Sequence, residues 1–126
     1  DKVRAVLPRP ELLDPHRGSI GVYHSKFSEA ERETLEVVRR GILARTKLRF
    51  DYLSLRQEPS KRHVRPLEIQ VWESVLTLTA WCEDRQDFRT FRLDRLKDVQ
   101  LAEDGFRLEP GKTFPDYLKR IEKNAP

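Results

Sequence analysis

The spacing of apolar residues predicts a long helix in the first half of the chain. Leu35, Val38 and Ile42 recur at helical intervals as far as Arg45. The segment Ser28-Glu29-Ala30-Glu31 precedes them and has the form of a capping box, in which the serine hydroxyl accepts the Glu31 N–H and Glu31 reaches back. The opposite side is charged, so we expect it to face solvent: Glu29, Arg32, Glu33, Glu36, Arg39 and Arg40.

From Lys47 onward the period changes to two, which indicates β-strands. Leu48, Phe50 and Tyr52 would share one face of the first strand. Later strands are predicted through Leu67, Ile69 and Val71, through 76–82, and through Phe91 and Leu93, with short closing elements at 96–101 and 106–108. Phe114, Leu118 and Ile121 then mark a short helix. The pattern predicts an α+β fold built on a small antiparallel β-barrel.

The first 27 residues differ from the rest. Residues 1–8 are typical of the end of a helix that stops at Pro8, and 8–27 hold three prolines and two glycines around a candidate strand at 20–23. We expect 1–27 to be a linker joined to an upstream helix and 28–126 to be the domain. The chain does not begin with Met, so we expect it to be a piece of a longer protein.

Composition narrows the class of protein. A chain of 126 residues, with 37% apolar and 37% charged residues and a net charge of +4, fits one domain with a weak basic bias. No apolar run approaches the roughly 18 residues of a membrane span, and there is no signal peptide pattern. The single Cys82 excludes an internal disulfide and fits a reducing compartment, so we expect a cytoplasmic protein.

Motifs of catalysis are missing from the sequence. It has no glycine-rich phosphate loop, CxxC, HExxH or GxSxG, and its three histidines are not at metal-ligand spacing. Cys82 alternates with Leu78 and Ala80, so we interpret it as a buried apolar residue and not as a nucleophile. We predict no catalytic residues, no metal site and no cofactor.

Basic residues form two groups, Lys61 with Arg62 and Arg65, and the triplet Arg89, Arg92 and Arg95. The strand before the triplet should present Thr77, Thr79 and Trp81 on its non-core face. Guanidinium groups bind phosphates bidentately and aromatic rings stack on bases, so this surface suits a nucleic acid or nucleotide.

A second interpretation stays open from the residues alone. Five acids and five bases lie between Glu83 and Asp98, so that stretch is electrically neutral. The arginines could form surface ion pairs with Asp87, Asp94 or Asp98, each worth under about 1 kcal/mol. Trp81 could then be a packing residue at the edge of the barrel.

The segment 48–96 resembles the WYL domain of bacterial transcriptional regulators. The resemblance lies in LRFDY at 48–52, RHVRPLEI at 62–69 and LTLTAWCEDRQDFRTFRLDRL at 76–96. The last of these carries an aromatic–Cys pair followed by R-x-F-R-L-D-R, a pattern of that family. The family's Trp-Tyr-Leu triplet falls on Leu76, Thr77 and Leu78, so this chain keeps only the leucine. The preceding helix and the tail EPGKTFPDYLKR are also similar to a subgroup of the family.

The resemblance implies an Sm- or SH3-like barrel that senses a ligand and has no enzymatic activity. The effector would be nucleic acid, single strands in particular, or a nucleotide. In the whole protein a winged helix-turn-helix would bind operator DNA, and we expect a homodimer. Carried over by position, the ligand-binding residues would be Tyr52, Arg62, His63, Trp81, Arg89, Arg92 and Arg95.

Within that set, Arg62, Arg89 and Arg92 would hold phosphates, while Tyr52 and His63 would supply hydrogen bonds or stacking. Two alternatives remain. One is a structural homodimerisation module whose arginines pair with carboxylates of a partner chain. The other is a sensor of free nucleotides that does not contact polymers.

Overall fold

The computed structural model describes residues 11–13, 28–54, 56–73 and 75–123. In chain order its elements are β1 (Glu11–Leu13), α1 (Glu29–Ala44), β2 (Thr46–Leu53), β3 (Pro59–Trp72), β4 (Val75–Cys82), β5 (Asp87–Arg92), a 3₁₀ turn (Leu93–Arg95), β6 (Leu96–Gly105) and α2 (Phe114–Lys123). Neither of the two helices within these ranges is long and apolar enough to cross a membrane. The predictions for 1–8 and 20–23 lie outside the described residues.

Helix α1 begins and ends as its sequence predicts. The Ser28 hydroxyl accepts the Glu31 N–H at 3.2 Å, and Glu31 Oε1 accepts the Ser28 N–H at 3.3 Å, so the capping box is confirmed. Arg45 ends the helix in the left-handed conformation, with φ 50°. Leu35 and Val38 are buried against the sheet. A Cβ on Gly41 would lie 3.0 Å from the Leu48 side chain, so the helix approaches β2 closely there.

The sheet is antiparallel in the order β5-β4-β3-β2-β6, and β1 pairs with β3 beside it. Strand β3 is long because residues 59–64 pair with β2 while residues 64–72 pair with β4. Within the described residues β5 and β6 are the two edges and do not pair with each other, so the sheet is open. The α+β class is confirmed, whereas the closed barrel is not. A single strand, β6, replaces the two closing elements expected at 96–101 and 106–108.

Both faces of the sheet are buried where β3, β4 and β5 meet. The first core lies between α1 and one face and includes Leu48, Val64, Leu78 and Phe91. The second core lies under α2 on the other face and consists of Leu67, Trp81, Phe88 and Tyr117.

Thr77 and Thr79 were expected on an outer face, and this expectation is wrong because they are only 3% and 0% exposed. Their hydroxyls are satisfied internally, as buried polar groups normally are. Trp72 Nε1 donates to Thr77 Oγ1 at 3.0 Å, and the Thr79 hydroxyl donates to Gln70 Oε1 at 2.9 Å.

A bulge in β3 breaks the expected alternation. The pairing with β4 shifts between Pro66 and Glu68, which turns Leu67 into the second core while Ile69 and Val71 stay in the first. The prediction that Leu67 shares a face with those two residues is therefore wrong. An extra residue in one strand reverses the orientation of the side chains on either side of it.

The start of α2 is fixed by one carboxylate. Asp116 Oδ2 accepts the backbone N–H groups of Gly111 at 2.8 Å and Thr113 at 3.0 Å, and also the Thr113 hydroxyl at 2.6 Å. Together with the Asp116 N–H, which donates to Thr113 Oγ1 at 3.3 Å, these bonds cap the start of the helix. They hold α2 where the Tyr117 ring packs on Phe88, with centroids 5.5 Å apart.

Candidate functional site

Arg62 lies over the first core in β3, paired in register with Phe50 of β2. Its guanidinium carbon is 5.7 Å from the centre of the Phe91 ring, within the range of a cation–π contact. Its Nε donates to Ser60 Oγ at 3.0 Å, and its Nη1 is 4.0 Å from Cys82 Sγ. Among the residues that the structure describes, Arg62 forms no ion pair with a carboxylate. It is therefore a half-buried cation, held in place by neutral groups.

Tyr52 lies at the end of β2 beside the same ring. Its ring contacts Phe91 edge-on at 5.0 Å and Phe50 at 6.5 Å. Its hydroxyl accepts the backbone N–H of Arg92 at 3.3 Å, which ties the end of β2 to the end of β5. Tyr52 is half-buried and follows Leu48 and Phe50 on the core face, as the alternation predicted.

Arg89 shares this face of the sheet. It pairs in register with Ala80, a first-core residue, and residues directly opposite each other on antiparallel strands point to the same side. Its Nη1 lies 3.4 Å from Asp87 Oδ2 and donates to the Phe88 carbonyl at 3.1 Å. Asp87 is held in turn by Arg120 of α2 and by the Phe88 N–H, and the Arg120 hydrogen bond is the main reason that the pKa of Asp87 lies below its usual range.

Arg92 ends β5 and forms a two-bond pair with Asp94 in the 3₁₀ turn. Its Nε donates to Asp94 Oδ1 at 3.1 Å and its Nη2 to Asp94 Oδ2 at 2.7 Å. The hydrogen bonds that Arg92 donates to Asp94 raise the pKa of Arg92 above its ordinary value. This is one of the ion pairs that the second interpretation of the sequence named. Strand pairing opposite Thr77 directs the Arg92 side chain away from Phe91, so Arg92 lies at the rim of this face, where its backbone N–H donates to the Tyr52 hydroxyl and its charge interacts with that hydroxyl.

Arg95 has a structural role in this arrangement. Its Nη1 donates to the carbonyl oxygens of Ser54 at 3.0 Å and Leu53 at 3.4 Å. These bonds fasten the 3₁₀ turn to the end of β2. Arg95 was expected among the ligand-binding residues, whereas its Nη1 binds the carbonyl groups at the end of β2.

His63 and Trp81 lie on the opposite face from Arg62. His63 follows Arg62 directly in β3 and therefore points to the other side, where its Nε2 is 3.6 Å from Asp104 Oδ1. Trp81 is 7% exposed in the second core, with Lys112 Nζ 5.2 Å from its ring centre. The expectation that Trp81 offers an exposed stacking surface is wrong, because α2 covers the indole.

A network of charges occupies the face that carries His63. Glu83 Oε2 accepts Lys47 Nζ and Arg65 Nε, both at 2.8 Å, and Arg65 Nη1 reaches Glu109 at 2.7 Å. Lys47 also contacts Asp104 at 3.0 Å. Burial alone would raise the pKa of Glu83, but the hydrogen bonds from the two cations outweigh it and that pKa lies below its usual range. The network joins β2, β3, β6 and the loop before α2.

Two groups of the site could have been found from the sequence but were not assigned to it. Ser60 stands two positions before Arg62, so both side chains lie on one face of a strand. Phe91 was expected only to fill the core, yet its ring also supports Arg62. The arrangement can bind anions through guanidinium groups, and no cluster of three metal-binding side chains occurs in the described residues.

The structure thus brings Tyr52 and Arg62 together around Phe91, with Arg89 on the same face of the sheet and Arg92 at its rim. We name this group the arginine face.

Comparison with known proteins supports the resemblance. The model of the WYL domain matches residues 33–101, more than half of the chain. A solved structure of proteasome accessory factor B/C (PafBC) of Arthrobacter aurescens is similar, with a TM-score of 0.60 and 23% identity over 68% of this chain and 13% of that chain. The chain thus spans a small part of that protein's length, and the likeness concerns the fold. No curated protein matches it. This chain belongs to the WYL-domain family.

Proposed function

We propose that this domain senses a phosphate-bearing effector, single-stranded nucleic acid or a nucleotide, through the arginine face. The observation that carries the proposal is Arg62, which is held by Ser60 and Phe91 without a carboxylate partner in the described residues. A cation in this position loses part of its hydration without an opposite charge nearby, so an anionic ligand gains more from it than from a paired surface arginine.

The other members of the arginine face would extend the contact. Arg89 points to the same side of the sheet, and Arg92 stands at the rim beside Tyr52. Tyr52 would offer the exposed part of its ring or its hydroxyl to a base or sugar. His63 and Trp81 lie on the other face, and we leave them out of the phosphate contact.

In the whole protein, this sensing step would control a DNA-binding domain. The WYL-domain family and the similarity in fold to PafBC support a regulatory role in transcription. We propose that an N-terminal helix-turn-helix domain contacts operator DNA and that the regulator works as a cytoplasmic homodimer without enzymatic activity. The open sheet would correspond to the Sm-like barrel of the family, with the 3₁₀ turn carrying β5 into β6.

Replacing Arg62 tests the proposal. We expect Arg62→Ala to weaken binding of a fluorescent 12-nucleotide single-stranded DNA by about 10- to 100-fold, because a charge-assisted hydrogen bond is lost. Fluorescence anisotropy of the 126-residue chain at several salt concentrations measures this. Three neutralised phosphates predict a slope of about −2 in log K against log salt.

Arg49→Ala is the matched control. Arg49 is an exposed arginine on the other side of β2, opposite His63 in register, and its removal changes the net charge equally. We expect less than about a threefold effect. Equal losses in both variants would show general electrostatic attraction and contradict a site on the arginine face.

The ion pairs seen at Arg89 and Arg92 favour a second candidate, a homodimerisation module. In that case Arg92→Ala would reduce self-association in sedimentation experiments. Under the sensing proposal, the same variant binds the ligand more weakly and keeps its oligomeric state. A free nucleotide that competes fully with the 12-mer, together with a shallow salt dependence, would indicate a nucleotide sensor.

A further inference from the structure

Two acids pair with members of the arginine face, Asp87 with Arg89 and Asp94 with Arg92, and they are held very differently. Asp87 is fixed by Arg120 and by the Phe88 N–H in addition to Arg89. Asp94 is an exposed residue whose carboxylate contacts Arg92 alone among the described residues. The Asp87 carboxylate therefore cannot move away from Arg89 without disrupting the contact between α2 and β5. The Asp94 carboxylate can move away from Arg92 when the Asp94 side chain alone rotates.

The backbone around Asp94 stays in place when that side chain moves. Leu93 and Leu96 on either side are 4% exposed and belong to the first core. Arg95 fastens the same turn to the carbonyl groups of Leu53 and Ser54. Releasing Arg92 thus requires a change in one exposed side chain and no movement of the turn.

We propose that Asp94 is an intramolecular competitor that a ligand must displace to reach the Nε–Nη2 edge of Arg92. This inference rests on the proposed function and assigns a specificity role within the same site. The Asp94 carboxylate already occupies the Nε–Nη2 edge of Arg92, one of the edges at which a guanidinium binds an anion through two hydrogen bonds. A tethered group acts at a high effective concentration, so a free carboxylate gains nothing by replacing it. A phosphate group adds charge and acceptor oxygens, so the competitor selects phosphate-bearing ligands over carboxylates.

Neutralising the competitor should tighten binding. We expect Asp94→Asn to bind the 12-nucleotide single-stranded DNA about fivefold more tightly than the unsubstituted chain. Asp98→Asn is the matched control, because Asp98 is exposed in the same segment, has no ion pair within the described residues and changes the net charge equally. Acetate and inorganic phosphate serve as competitors, and acetate should compete better against Asp94→Asn than against the unsubstituted chain.

A double variant separates this inference from the proposed function. In the Arg92→Ala background, Asp94→Asn should bring no gain, since the donors it would release are absent. If the unsubstituted chain binds the 12-mer but Asp94→Asn behaves like Asp98→Asn, the competitor role is wrong and the sensing proposal stands. If neither the chain nor Asp94→Asn binds the 12-mer or inorganic phosphate, both are overturned.

Discussion

Phe91→Ala is expected to lower the free energy of unfolding by about 3 to 5 kcal/mol. Phe91 is 2% exposed, and its ring is contacted by Phe50 at 5.1 Å, by Tyr52 and by the Arg62 guanidinium. Removal of the ring leaves a cavity between β2 and β5. A domain of this size is stable by about 5 to 15 kcal/mol in total, so the variant should unfold at far lower urea concentration.

Phe91→Leu is the comparison for that experiment. It keeps most of the apolar volume, so we expect a loss of about 1 kcal/mol. Because it removes the ring below Arg62, it should still weaken ligand binding. A cost under about 1 kcal/mol for Phe91→Ala, measured by urea denaturation followed by circular dichroism, would contradict the placement of this ring in the first core.

Glu83→Gln should destabilise the protein by about 2 to 3 kcal/mol at pH 7. The side chains of Glu83, Lys47 and Arg65 are only 16%, 17% and 11% exposed. Without the carboxylate, two mostly buried cations would lose their shared counter-charge. Asp84→Asn in the same turn is the control, because Asp84 is exposed and the change should stay within about 0.5 kcal/mol.

The effect of Glu83→Gln should depend on pH. The folded-state pKa of Glu83 is lowered, so its carboxylate stabilises the fold above the unfolded-state pKa of about 4.3. That contribution is lost as the pH falls through the lower folded-state value. Urea denaturation of both proteins from pH 7 to pH 3 should show the full difference at neutral pH and a closing gap in acid. A constant difference over the whole range would contradict the role of the charge network.

Local features of this fold could be predicted from the sequence because they depend on neighbours along the chain. The Ser28 capping box and the inward set Leu48, Phe50 and Tyr52 are of this kind, and both are confirmed. The prediction from alternating apolar and polar residues was wrong at Leu67, where a bulge adds one residue to β3. A bulge depends on the pairing with β4, which a single strand's pattern does not contain.

Burial on the second face could not be predicted for a related reason. Alternation in β4 assigns Trp81 and Thr79 to the side away from Leu78, but it does not say what covers that side. In the structure, α2 covers that side of the sheet through Tyr117. Helix α2 was predicted from its own period, whereas its position depends on contacts between residues far apart in the sequence.

The candidate site was predicted in part. Arg62 and Tyr52 meet around Phe91, although their positions are about 10 to 40 residues apart in the chain. His63 was assigned to the site with Arg62 through the resemblance to the family, yet the two are adjacent in β3 and therefore face opposite sides. The Glu83 network was missed because Lys47, Arg65 and Glu109 come together only through the register of three strands and a loop.

The most direct test of the central claim follows the arginine side chains themselves. Isotope-labelled chain is titrated with the unlabelled 12-nucleotide single-stranded DNA, and the Nε–H signals of arginine are recorded by nuclear magnetic resonance. The account predicts that the Arg62 signal shifts and saturates with the binding curve while the Arg49 signal stays unchanged. Binding with an unchanged Arg62 signal, or with Arg49 as the responding residue, would contradict a ligand site on the arginine face.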